Sequence, residues 1–166
     1  MMKRLLTILC IPALLLFGGP SEGYAFDEAS LKKLLAMNQC EKCDLSGAYL
    51  SWADLKWANL KGADLRGADL IAADLSEANL EGADLRGADL IAADLSEANL
   101  TEANLEGADL REANLTEANL EGADLREANL RKVKLDKAIL CRTKMPFLLF
   151  GFNILQQWGV KNRDCK

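Results

Sequence analysis

ADLRGADLIAADLSEANL, residues 63–80, recurs letter for letter at residues 83–100. Within it a leucine returns at every fifth position. Outward from this stretch the same spacing runs unbroken from Leu45 to Leu140, twenty leucines in all. Alanine stands two residues before each leucine, except where Cys43 and Val133 take its place. A continuous α-helix does not fit, because five residues turn the chain by about 500° and scatter the leucines around the axis. A continuous strand fails as well, since five is odd and successive leucines would alternate between faces. The chain must turn once per repeat.

If each repeat is a short extended piece, its alanine and leucine point to the same side and the remaining residues form a corner. Seven of those corners carry glycine, from Gly47 to Gly122, as a turn with positive φ would select. Repetition of the unit winds a solenoid with leucine and alanine stacked inside and polar residues outside.

The A-(D/N)-L-x-x pattern across residues 43–142 resembles the pentapeptide-repeat family. That resemblance implies an all-β solenoid, a right-handed quadrilateral β-helix with four repeats per coil. The internal duplications do not fix four sides by themselves: one copy step is 20 residues, but TEANLEGADLREANL at 101–115 recurs at 116–130, a step of 15. With the family geometry, twenty repeats make five coils, a rod roughly 24 Å long at the spacing of β-strands. Its ends would expose core leucines and unpaired backbone, so caps are expected.

The N-terminus is different in kind. Met1, Met2, Lys3 and Arg4 precede an apolar run from Leu5 to Phe17, and Gly23-Tyr24-Ala25 supplies small residues for a signal peptidase. Residues 1–25 read as a cleaved secretory signal, with a retained N-terminal anchor as the alternative; Leu9 is too large to precede a lipid-modified Cys10. Cleavage removes Lys3, Arg4 and Glu22 and moves the formal net charge from −5 to −6. An acidic exported chain is poorly suited to nonspecific binding of nucleic acid or anionic lipid. The remaining division is an N-terminal helical cap over 26–42, the β-helix over 43–142 and a C-terminal cap over 143–166.

Asp27-Glu28-Ala29-Ser30, followed by Leu31, Leu34 and Leu35, reads as a short capped helix laid over the first coil. The Cys40-x-x-Cys43 that leads into the first repeat, and the closing AILCRTKMP and KNRDCK, resemble exported cyanobacterial members of the family. The apolar stretch Phe147 to Trp158 interrupts what would otherwise be a brief closing turn. It reads as a helix folded over the last coil or as a contact with a membrane surface or partner, and is too short to span a bilayer. Of the four cysteines left after cleavage, an even count outside the cytoplasm favours disulfides. A rod of the family's length keeps the two pairs too far apart for one zinc site or for a Cys43 to Cys141 bridge. The expected pairs are Cys40 with Cys43 and Cys141 with Cys165; a redox-active Cys-x-x-Cys is the rival for the first.

With four repeats per coil, residues twenty apart stack on one face. The first face sets Asp64, Asp84 and Asp124 beside Arg66, Arg86 and Arg126. The fourth stacks Asn59, Asn79, Asn99 and Asn119 as an expected amide ladder. The third gathers Asp54, Asp74 and Asp94 with Glu77, Glu97 and Glu117, an acidic panel that reads either as a solvated face or as a docking surface for a basic partner or cation. Ile71 and Ile91 form an apolar strip on the second face. Trp52 and Trp57, at neighbouring corners, either extend a binding patch or pack under the cap, the second being favoured.

No histidine, phosphate-binding glycine loop or nucleophile motif is present in the sequence, and an interior of leucine and alanine leaves no pocket. The reading is therefore a non-enzymatic interaction or scaffold protein of the thylakoid lumen or periplasm. No cofactor or metal is expected, the mature chain has no transmembrane segment, and the protein partner is unidentified. Alternatives are an acidic DNA mimic that inhibits topoisomerase, as some cytoplasmic members of the family do, and a thiol redox protein.

Overall fold

The structure, a computed structural model, describes residues 26–146. The leader reading of residues 1–25, the stretch Phe147 to Trp158 and Cys165 lie outside them. From Gln39 to Lys144 the chain is held by isolated parallel bridges, each joining a residue to the one twenty positions later: Asp54 to Asp74, Asp74 to Asp94, Asn79 to Asn99, and so on. Twenty residues per circuit and five per side give the square section of a right-handed quadrilateral β-helix.

The interior follows the leucine and alanine columns. Leu45, Leu55 and every leucine from Leu60 to Leu125 are fully covered, and the alanines two residues before them stack with them in one continuous core. Ala53 is the exception among the described inward alanines, being only partly buried. Each leucine withdrawn from water contributes about 1.5 to 3 kcal/mol, opposed by the entropy of ordering the chain.

Backbone hydrogen bonding explains the rest of the motif. In the repeat around Leu95, Ala93 N–H donates to Leu90 O across the corner at 3.1 Å, Asp94 N–H to Ala73 O in the coil before at 2.9 Å, Leu95 N–H to Asn114 O in the coil after at 2.8 Å, and Glu97 N–H to Thr116 O at 2.9 Å. The fifth donor, Ser96 N–H, points outward at the corner with no carbonyl in reach. It donates to Asp94 Oδ1 at 2.9 Å. The same bond recurs at Ser46, Arg66, Ile71, Glu81, Thr101 and Glu121. Aspartate or asparagine precedes seventeen of the twenty leucines, all but Leu50, Leu135 and Leu140, because a short side-chain oxygen can receive that N–H. No buried side-chain polar atom among the described residues is left without a partner.

The corners pair an i to i+3 bond with a positive φ at the third residue, the geometry of a type II turn. The glycines adopt it, Gly87 at φ 64° among them, but so do Trp52 (62°), Ala72 (52°), Glu97 (58°) and Lys132 (62°). Glycine is thus a convenience at these corners and not a requirement, because the ladders on either side hold every corner in the left-handed region.

One helix, α1 (Glu28–Met37), precedes the coils. Asp27 caps it by accepting from Ala29 N–H at 3.2 Å and Ser30 N–H at 3.0 Å, and Asn38 ends it in the left-handed conformation with its N–H on Leu34 O. Leu31 and Leu34 join the core, while Leu35 turns away from it and is exposed. The expected apolar edge therefore consists of two leucines: residue 35 lies a further 100° round the helix from residue 34.

Candidate interaction surface

The third face of the first coil lies between two corners, and each corner carries a tryptophan. Trp52 is 73% exposed and Trp57 58%, with Tyr49 on the adjoining face 66% exposed. The expectation that the tryptophans pack under the cap is overturned. At φ near +60° their side chains project from the corner while α1 covers the interior, so the cap has no purchase on them. Between them stand the exposed Asp54 and the incompletely covered Ala53. Above Trp52 its column continues with Ala72 and Ala92, beside the half-buried Ile71 and Ile91. An apolar ledge thus rises through three coils before Arg111 and Glu112 end it. The sequence shows the same letters; what it lacks is the signal that Tyr49 belongs with them, which only the square section supplies.

The acidic panel is less free than its composition implies. Asp54, Asp74 and Asp94 each turn an oxygen onto the N–H of a corner residue, Lys56, Ser76 and Ser96. Asp94 also accepts from the Asn114 amide at 3.0 Å. Glu77 meets Lys56 at 3.1 Å, and hydrogen bonds from Trp57 and Lys56 hold its carboxyl below the ordinary carboxylate range. Lys56 in turn is raised by Glu77 and lies 4.6 Å from the centre of the Trp57 ring. Glu117 pairs with Lys137 at 2.5 Å. Glu97, midway along the column, makes no ion pair among the described residues.

On the first face each arginine pairs with the aspartate two residues before it: Arg66 with Asp64 at 2.5 Å, Arg86 with Asp84 at 2.6 Å and Arg126 with Asp124 at 2.7 Å. These contacts hold Asp64 and Asp124 well below the usual carboxylate range. On the fourth face the expected amide ladder has one direct rung among the described residues, Asn99 Nδ2 to Asn79 Oδ1 at 3.3 Å. All four amide oxygens of that column, that of Asn79 included, also accept the N–H of their own corner.

Cys40 and Cys43 are joined in a disulfide with Cα atoms 5.2 Å apart. Cys141 is also disulfide-bonded, and Cys165, the partner expected for it, lies outside the described residues. Among the described residues no group of three or more cysteine, aspartate or glutamate side chains is placed to hold a metal ion. No helix there is long and apolar enough to cross a membrane.

The family model for pentapeptide repeats matches residues 43–82, 68–107 and 108–145. The chain belongs to the pentapeptide-repeat family. Among solved structures it is similar to HetL of Nostoc sp. strain PCC 7120, described as involved in heterocyst differentiation regulation, at 38% identity over 63% of this chain and 53% of that one, with a TM-score of 0.46. It thus spans about half the length of HetL. A second Nostoc pentapeptide-repeat protein is 36% identical over 84% of this chain and 98% of its own, with a TM-score of 0.29. A pentapeptide-repeat protein from the Arabidopsis thaliana thylakoid lumen is 28% identical over 90% and 91%, with a TM-score of 0.40. No curated protein matches the chain.

Proposed function

We infer that this pentapeptide-repeat protein is an exported, non-enzymatic interaction module of the thylakoid lumen or periplasm. Residues 1–25 serve as its signal. Five coils over 43–142 form a rod between an N-terminal cap over 26–42 and a C-terminal cap over 143–166 that Cys141 and Cys165 close. The observation that carries the reading is the exposure of Tyr49, Trp52 and Trp57 on one coil. Large aromatic side chains in water are costly unless a partner covers them, and a ledge of tryptophan with isoleucine and alanine above it has the make-up of an interface core. Asp54 and Glu97 beside it favour a partner that is apolar at the centre and basic at its margin. The DNA-mimic alternative is weakened by the aspartates, whose carboxylates are engaged at corners or by arginine instead of forming free anionic rows. The redox alternative is weakened by Cys43, which is buried in the core.

Photo-crosslinking in the native cell tests the reading. A photoreactive residue at Trp52 or Trp57 is expected to trap one defined protein, and the same probe at Glu102, on another corner, to trap none. Adducts that do not differ between these positions would remove the ledge as the contact surface. Recovery of the protein in the cytoplasmic fraction with residues 1–25 still attached would remove export.

A further inference from the structure

The corner that bears Trp52 continues up the side of the rod as Ala72, Ala92, Glu112 and Lys132, each twenty residues after the last. Two short side chains between longer ones make a notch. Ala72 and Ala92 are its floor, Trp52 bounds it below and Glu112 above, and the half-buried Ile71 and Ile91 line one side. We propose that this notch receives an extended segment of a protein partner, about six residues long, apolar where it meets Trp52 and acidic where it reaches Arg131. The proposal rests on the ledge being the contact surface and gives the occupant a chemistry and a direction.

The shape of the corner selects the occupant. Two faces of the square section meet there, so a flat protein surface would rest on Trp52 and the long charged side chains and leave the alanines uncovered. An extended chain reaches the floor. From Trp52 to Lys132 is four circuit steps, about 19 Å, the reach of about six extended residues. Such a segment cannot join by adding a strand, because the N–H groups of Ile71, Ala72, Ile91 and Ala92 are already engaged within the rod. Side chains must hold it.

Charge gives the segment its direction. Beside the lower circuits the flanks are acidic, with Asp54 on one side and Asp69 and Asp89 on the other. At the fourth circuit the sign changes. A hollow of about 250 Å³ opens on the side wall between Ile91, Arg111, Glu112, Arg131 and Lys132. Arg111 pairs with Asp109 at 2.7 Å and Lys132 with Glu112 at 2.7 Å, whereas the exposed Arg131 makes no ion pair among the described residues. The unmatched charge lining the hollow is therefore a cation. The space falls short of the roughly 300–1,000 Å³ of metabolite sites but is large enough for one carboxylate side chain. A guanidinium grips a carboxylate through two parallel hydrogen bonds, so Arg131 favours an acidic residue at this end of the segment and Trp52 an apolar one at the other.

Peptide selection tests it. Protein purified from the native cell is presented with a phage library of random octapeptides, and binders to Trp52→Ala protein are subtracted. Enriched peptides are expected to carry an apolar cluster at one end and aspartate or glutamate at the other. A synthetic copy of the most enriched peptide is then titrated. Arg131→Glu should weaken it by about ten-fold or more. Trp52→Ala should weaken it by more than about ten-fold, and Glu102→Ala, on another corner, should leave it unchanged. With the peptide's acid changed to lysine the order should reverse, Arg131→Glu binding better than wild type. Matching melting curves establish that the variants are folded. Enriched peptides without an acid, or equal affinity for wild type and Arg131→Glu, would overturn the proposal and leave the ledge standing as the contact surface. Affinity indifferent to Trp52→Ala would overturn it by placing the acidic peptide elsewhere. If nothing is enriched, an extended segment is not the occupant, and crosslinking from Trp52 decides separately whether the ledge is a contact surface at all.

Discussion

The inside of this rod and its corners obey different rules. Inside, leucine and alanine recur with hardly a substitution, and each position admits one size of side chain because four walls close on it. At the corners glycine, alanine, glutamate, lysine, arginine and tryptophan adopt one backbone conformation, and the ladders on either side impose it. The comparison teaches that three residues of every five build the coil. The other two are at liberty, and function is written in them.

Six substitutions test how sharp that division is. Leu95→Ala, at a fully covered position, is expected to cost about 2 to 5 kcal/mol in chemical unfolding. A loss no larger than a corner change produces would mean that the core is not tightly packed. Next is Asp94→Ala, which strands the Ser96 N–H and the Asn114 amide and should cost about 1 to 2 kcal/mol. Asp94→Asn keeps an acceptor oxygen and should fall within about 0.5 kcal/mol of wild type. If asparagine did as much damage as alanine, the carboxylate's charge, and not its role as acceptor, would be what the position selects.

Gly87→Ala isolates the corner backbone, because an added Cβ there meets nothing within 4 Å. Its expected cost is about 1 kcal/mol, from the left-handed conformation alone. A smaller effect belongs to the arginine pairs. Asp64, Asp109 and Asp124 have carboxyls lowered in the folded state chiefly by hydrogen bonds from Arg66, Arg111 and Arg126. Their contribution is therefore complete above the unfolded value of about 3.9 and is lost as pH falls through the lower folded values. Replacing Arg111 with methionine should cost under about 1 kcal/mol at neutral pH and flatten the loss of stability in acid. Ala92→Gly runs the Gly87→Ala exchange backwards at the next corner and should stabilise by up to about 1 kcal/mol, since relief of the left-handed strain outweighs the freedom glycine adds to the unfolded chain.

The same division explains what the sequence disclosed. The leucine spacing excluded helix and strand and required a turn in each repeat. The Asp27 cap and the helix after it were equally plain, because capping and apolar edges are local signals. Four-sidedness was not local: the 20-residue and 15-residue duplications disagree, and only the bridges decide between them. In the sequence the aspartates read as charge, whereas their main task is to accept a corner N–H, since composition does not show where a lone pair points. The tryptophans read as cap residues because apolar side chains usually find cover. Tyr49 carries no such signal, because residues three and eight positions from it become its neighbours only once the chain has turned.

The twenty-residue circuit also governs how such a chain changes over generations. Any duplication or excision in multiples of five leaves the core columns intact, so the fold tolerates it, and its length modulo twenty decides where the surface goes. A copy step of twenty, as between residues 63–80 and 83–100, repeats a decoration directly above itself and lengthens a stripe. A step of fifteen, as between 101–115 and 116–130, carries the same letters a quarter-turn around the rod and begins a spiral. Slippage of a few codons can thus redraw the outside of the molecule without altering its interior.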